Sequence, residues 1–245
     1  MKKLISVIIF VISINSIVSA SYKEALSLYE TKKYKESLAI IAKELDPKKD
    51  MENNSPNYDL RFLAAHNHWK MGNIQAAIGH FRRCAEIKKT SPDSYIDLAL
   101  MMLENKRYGD ANFSAAGAAK IAEGPMPYYV LGKSAMKARN FVKAKEYLEK
   151  VISFDPEFWI AYNDLGITLM ELKKYSEAGT AFSAALAVMP GSAEVLNNTA
   201  VNLELVGKND EALRLLEKAN DKAPENTVIQ ANLKRIKQKT AAEKK

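Results

Sequence analysis

Residues 159–192 read WIAYNDLGITLMELKKYSEAGTAFSAALAVMPGS, and the rest of the chain can be laid over them at nearly the same register. Two antiparallel helices packed by small residues account for the pattern. Gly166 and Ala178 fall where the helices come closest, and a larger side chain there would hold them apart. Leu165, Leu169, Phe182 and Leu186 fill the space on either side. Pro190 lacks the N–H that another turn of the second helix would need, so the helix stops before it. One such pair cannot bury both its faces, and the unit therefore implies neighbours stacked on it.

The neighbours can be counted. With the Leu-Gly pair at positions 7 and 8, Ala at 20 and Pro at 32, units begin at Tyr58, Pro92, Pro125, Trp159 and Ala193, spaced by 34, 33, 34 and 34 residues. Leu165-Gly166, Tyr175, Ala178, Phe182, Ala185 and Pro190 stand where the tetratricopeptide repeat (TPR) has a Leu-Gly pair, an aromatic, Ala, Phe, Ala and Pro, so the chain resembles a TPR protein. The resemblance implies an all-α fold, a right-handed α-solenoid of stacked antiparallel helix pairs.

The expected organisation is a secretory leader at 1–20, a truncated repeat at 21–45, a loop at 46–57, and five full units at 58–91, 92–124, 125–158, 159–192 and 193–226. A capping helix with a basic tail follows at 227–245. In the truncated unit Ala25, Leu28, Tyr34 and Ile41 keep the pattern, and Ser37 replaces the tight-packing Ala. The loop, DPKKDMENNSPN, is rich in turn formers. The unit at 92 has Ala115 where a large aromatic is expected, and its second helix, ANFSAAGAAKIAEG, either packs closely or forms the weakest layer. In the last helix Val228, Ala231 and Leu233 face the preceding pair and the lysines face outward, which shields the open end.

Residues 1–20 start with Lys2 and Lys3, run apolar from Leu4 to Val18 and end Val18-Ser19-Ala20, the form of a signal peptide cut between Ala20 and Ser21. A cleaved leader sends the chain to the periplasm or outside the cell; an uncleaved one would be a membrane anchor. Ser21-Tyr22-Lys23-Glu24 has the Ser-x-x-Glu form of a capping box, so cut and helix start agree. The single cysteine, Cys84, sits at a small-residue packing position and reads as a buried apolar group, leaving no internal disulfide.

The formal charge is +7, and removing Lys2 and Lys3 leaves about +5, which the last thirteen residues supply by themselves. The repeat body is near neutral, unlike a nucleic-acid binder. The tail, with Lys234, Arg235, Lys237, Lys239, Lys244 and Lys245, could make weak contact with an anionic membrane surface.

Little in the chain points to catalysis or a cofactor. Gly132-Lys133-Ser134 lacks the earlier glycine and the strand of a phosphate-binding loop. His66, His68 and His80 are the only histidines; His66 and His68 are two apart, so they leave a helix on different sides and do not make an i, i+4 metal pair. His68 falls at a core position and His66 on the inner face. No cofactor, no metal and no enzymatic activity are expected.

The TPR resemblance further implies that first helices line a concave groove taking a peptide or protein partner. Its inner positions 2, 5, 9 and 12 map here onto Tyr22, Leu26 and Tyr29, then Phe62, His66 and Trp69, then Ile96, Leu100 and Leu103. They continue with Tyr129, Lys133 and Met136, then Asn163, Ile167 and Met170, with Glu194, Asn197, Val201 and Glu204 beyond. Aromatic and methionine side chains suit a binding surface, so apolar contacts are expected to supply the affinity. Lys133, Asn163 and Asn198 are reminiscent of a carboxylate clamp, but Glu194 stands where that clamp has a cation. The resulting expectation is a non-catalytic protein-interaction module of the bacterial cell envelope. Its rivals are a structural or assembly subunit of an envelope complex working through its outer faces, and a binder of a small molecule or lipid.

Overall fold

The computed structural model describes residues 20–49 and 57–243 of the chain. The expected leader up to Ser19, most of the 46–57 loop and the last two lysines lie outside the described residues. The chain divides after Lys89 into two compact units.

The first unit holds α1 (Ala20–Glu30), α2 (Tyr34–Glu44), a 3₁₀ turn at Pro47–Lys49, α3 (Asn57–Lys70) and α4 (Ile74–Ile87). α1 packs on α2 and α3 on α4, while α2 also lies against α3. Tyr22, Ala25 and Tyr29 of α1, Ile41 of α2 and Leu60, Leu63 and Ala64 of α3 form one core. Ser37, the departure from the repeat pattern, is fully buried. Its hydroxyl donates to the Ala25 carbonyl (2.7 Å) and accepts from the Asn67 amide (3.0 Å), so a polar residue is tolerated because both its hydrogen-bonding capacities are used. Ser21 differs from its expected capping role. It lies within α1, and its hydroxyl donates to Glu44 of α2 at 3.1 Å.

The second unit comprises α5 (Asp93–Glu104), α6 (Tyr108–Ile121), α7 (Pro125–Lys137), α8 (Phe141–Phe154), α9 (Trp159–Glu171), α10 (Tyr175–Val188), α11 (Ala193–Leu205), α12 (Asn209–Lys222) and α13 (Thr227–Glu243). Each odd-numbered helix up to α11 packs on the even one after it, each even one packs on the next odd one, and α5, α7, α9, α11 and α13 touch in succession. This is the α-solenoid arrangement, and the described residues contain no strand.

The close approach at Gly166 is visible in its geometry. A Cβ there would stand 2.5 Å from the Phe182 ring, which is itself fully buried, so only glycine lets α9 and α10 meet at this point. In α6, Ala111, Ala115 and Ala118 are fully buried, and Tyr95 of α5 lies close over Gly117. The small residues of α6 thus pack against a ring contributed by its partner helix. At the far end Ile229 and Ile236 of α13 close the core made by Leu196 and Ala200 of α11 with Ala212, Leu216 and Ala219 of α12.

One turn recurs inside the pairs. Its central residue is left-handed, with φ between 58° and 63° at Lys32, Lys106, Arg139 and Lys173, and 78° and 80° at Gly72 and Gly207. After α9, for example, Lys173 N–H donates to Met170 C=O (2.9 Å) and Lys174 N–H to Leu169 C=O (2.8 Å), which satisfies the last carbonyls of the helix.

Candidate functional site

In the first unit the expected inner positions are largely closed. Tyr22, Tyr29, His66 and Trp69 are buried, while Leu26 and Phe62 are half-buried. His66 sits among four rings, with centroids at 4.9 Å (Phe62), 5.3 Å (Phe81), 5.7 Å (Trp69) and 6.3 Å (Tyr29). Edge-on and stacked aromatic pairs at such distances add about 0.5–1.5 kcal/mol each beyond the area they bury.

His66, expected on the inner face, is 4% exposed, and His68, expected at a core position, is half-buried, its ring stacked on His80 of α4 with centroids 5.5 Å apart. Burial pulls the His68 imidazole below the usual histidine range. Cys84 is buried, with Sγ 3.6 Å from the Tyr58 carbonyl oxygen.

The second unit presents a different face. Ile96 and Leu103 of α5, Met136 of α7 and Ile167 and Met170 of α9 are half-buried, as is Val201 of α11. Leu100, Tyr129 and Asn163 are buried. Polar groups between these helices are tied to one another. Lys133 Nζ lies 2.9 Å from each oxygen of Asp164, whose side chain is 4% exposed. Burial first, then Asp164 and Glu194, push the Tyr129 phenol well above its ordinary value.

Further along, the Asn232 amide donates to Asn197 (2.8 Å), Asn197 to Asn198 (3.2 Å), Asn198 to Asn163 (3.0 Å) and Asn163 to Glu194 (3.4 Å). Arg235 makes a separate two-pronged contact with Glu204, at 2.7 and 3.3 Å. Lys133 and Asn163 are therefore engaged within the protein and are not arranged as an open carboxylate clamp. Asp164, Asn232 and Arg235 are partners in these contacts that motif reading passes over. The signal for them is spacing, since the pairs bridging first helices are separated by 31 or 35 residues.

Among the described residues no group of three His, Cys, Asp or Glu side chains could hold a metal ion. No helix of the described residues is long and apolar enough to cross a membrane.

Two family models, both described as tetratricopeptide repeat, match residues 58–91 and 129–194. No curated relative matches the chain in sequence. Among solved structures, the chain is similar to PilW, a widely conserved type IV pilus biogenesis factor, with a TM-score of 0.73 at 17% identity, over 89% of this chain and 99% of that one. It is also similar to PilF of Pseudomonas aeruginosa (TM-score 0.72, 15% identity, 90% and 96% covered). A third is YrrB, a TPR protein with an unusual peptide-binding site (TM-score 0.60, 20% identity, 77% and 94% covered).

Proposed function

We propose that this chain, which belongs to the tetratricopeptide-repeat family, is a non-catalytic protein-binding module of the bacterial cell envelope, taking a segment of another protein on the first-helix face of its second unit. The observation that carries the reading is the half-buried apolar series Ile96, Leu103, Met136, Ile167 and Met170 on successive first helices. A solvated face would hold polar groups at these places, and the polar groups that do occur are spent on one another. Support for a protein partner also comes from the likeness to YrrB, which has a peptide-binding site. For the envelope, support comes from the leader-like residues 1–20 and from the likeness to PilW, the type IV pilus biogenesis factor.

The test is in-cell crosslinking from a photoreactive residue at Ile167, with Thr180 on the exposed side of α10 as control. A defined protein captured from Ile167 and not from Thr180 supports the face. Equal capture from both sites sinks it. A second reading, a structural or assembly subunit working through outer surfaces, is favoured by Phe113 of α6, which is 81% exposed. A crosslinker there decides it: capture from 113 alone transfers the binding role to the outer face.

A further inference from the structure

The charges on the first-helix face of the second unit do not balance, and the imbalance is local. Lys133 is neutralised by Asp164, with 14% and 4% of the two side chains exposed. Glu204 is neutralised by Arg235 at 2.7 Å, with Lys239 at 3.9 Å. Glu194, the second residue of α11, is exposed and pairs with no cation among the described residues; its hydrogen-bond partner is the neutral amide of Asn163 at 3.4 Å. A carboxylate in the first turn of a helix is favoured by the helix dipole wherever it points. The dipole does not explain why this one turns to Asn163 of the neighbouring first helix.

Further along α7, α9 and α11 the face is aliphatic or thioether in character, with Met136, Ile167, Met170 and Val201 half-buried. An acidic segment laid here would set like charge against Glu194. A purely apolar one would strip water from the carboxylate and return nothing, which is the costly case for a buried charge. A segment with one cation among apolar side chains meets both demands, because it covers the apolar groups and pairs the carboxylate.

We infer that the segment bound by the second unit carries a lysine or arginine flanked by aliphatic residues, its cation paired with Glu194. This rests on the peptide-binding reading above.

The experiment selects a random dodecapeptide library displayed on phage against the full chain. The enriched peptides are then synthesised and titrated calorimetrically against the wild-type protein, Glu194→Gln and Met170→Asp. Circular dichroism confirms that each variant is folded. Expected are peptides with one basic residue between aliphatic ones. Their affinity should fall about tenfold with Glu194→Gln and about as much when the peptide's basic residue is changed to glutamine, with no further loss when both changes are combined. Peptides that lose binding to Met170→Asp yet bind Glu194→Gln unchanged, or that are acidic or uncharged, overturn the inference and leave the binding face standing. Failure to enrich any peptide sensitive to Met170→Asp removes the face itself, and the inference with it.

Discussion

His66 and Ile167 hold the same place in their repeats, yet His66 is enclosed by four aromatic rings and Ile167 stands half-open beside a hydrogen-bonded series. In the first unit the first helices carry Tyr22, Tyr29, Phe62 and Trp69, and rings of that size close over the inner face as well as the space between helices. In the second unit short polar side chains join neighbouring helices. Asn, Asp and Glu reach one another within the layer between helices, so Met136, Ile167 and Met170 are left standing above it. One repeat position therefore serves packing in one unit and display in the other, and the neighbouring residues decide which.

The largest expected effect tests the packing side of this contrast. Phe81 and Phe182 are both fully buried, and changing either to alanine should cost about 3–5 kcal/mol. The two tryptophans fall one in each unit, Trp69 and Trp159, so single-tryptophan variants can report on each by fluorescence during guanidinium unfolding. Phe81→Ala should lower the Trp69 midpoint more than the Trp159 midpoint, and Phe182→Ala the reverse. Identical shifts at both reporters would end the description of two units held by different means.

Somewhat smaller is the effect of breaking the buried ion pair. Asp164→Ala leaves Lys133 without its partner in a largely buried site and should cost about 3 kcal/mol. The double change Lys133→Met with Asp164→Leu should recover most of that, since a packed apolar pair replaces the ions. The Arg235–Glu204 pair offers the contrast: Arg235 is 52% exposed and Lys239 also stands 3.9 Å from Glu204, so Arg235→Ala should cost less than Asp164→Ala, about 1 kcal/mol. Equal costs at the two pairs would show that burial does not grade them.

The smallest effect uses acidity. All three histidines lie in the first unit. His68 is held below the usual value of 6.5 by burial, so the folded form keeps the ring neutral while the unfolded chain takes up a proton. The associated stability is complete above about pH 6.5 and is lost as pH falls from there to the lowered folded value. The Trp69 midpoint should drop over that window and His68→Gln should flatten the drop, while the Trp159 midpoint shows no histidine step. A matching step at Trp159, or none at Trp69, would break this part of the contrast.

The helix pairs were legible because Leu165-Gly166, Ala178 and Phe182 are demands made within one repeat: Ala178 returns as Ala77, Ala111, Ala144 and Ala212, the Leu-Gly pair as Leu131-Gly132 and Phe182 as Phe81. The polar series was legible in principle by the same ruler. A separation of 31 is a period less three and one of 35 a period plus one, which are the offsets that face each other on adjacent first helices. What a single repeat does not disclose is closure. Nothing within residues 58–91 says that Tyr29, from the preceding repeat, covers His66 at 6.3 Å, because that contact belongs to two repeats at once. Ser37 escaped for the same reason, since Asn67, which donates to its hydroxyl, lies 30 residues further on.

The turn inside each pair has a consequence for how finished this protein is. Four of these turns place lysine or arginine in left-handed backbone, at Lys32, Lys106, Arg139 and Lys173, where the other two have glycine. Each non-glycine residue there gives up about 1 kcal/mol to the clash of its Cβ with the backbone. The chain thus holds stability in reserve at four sites that touch no core. In exchange the second unit keeps a cation, Lys106, Arg139 and Lys173, at the same turn of three successive layers, a regularity in charge that the helix packing itself does not require.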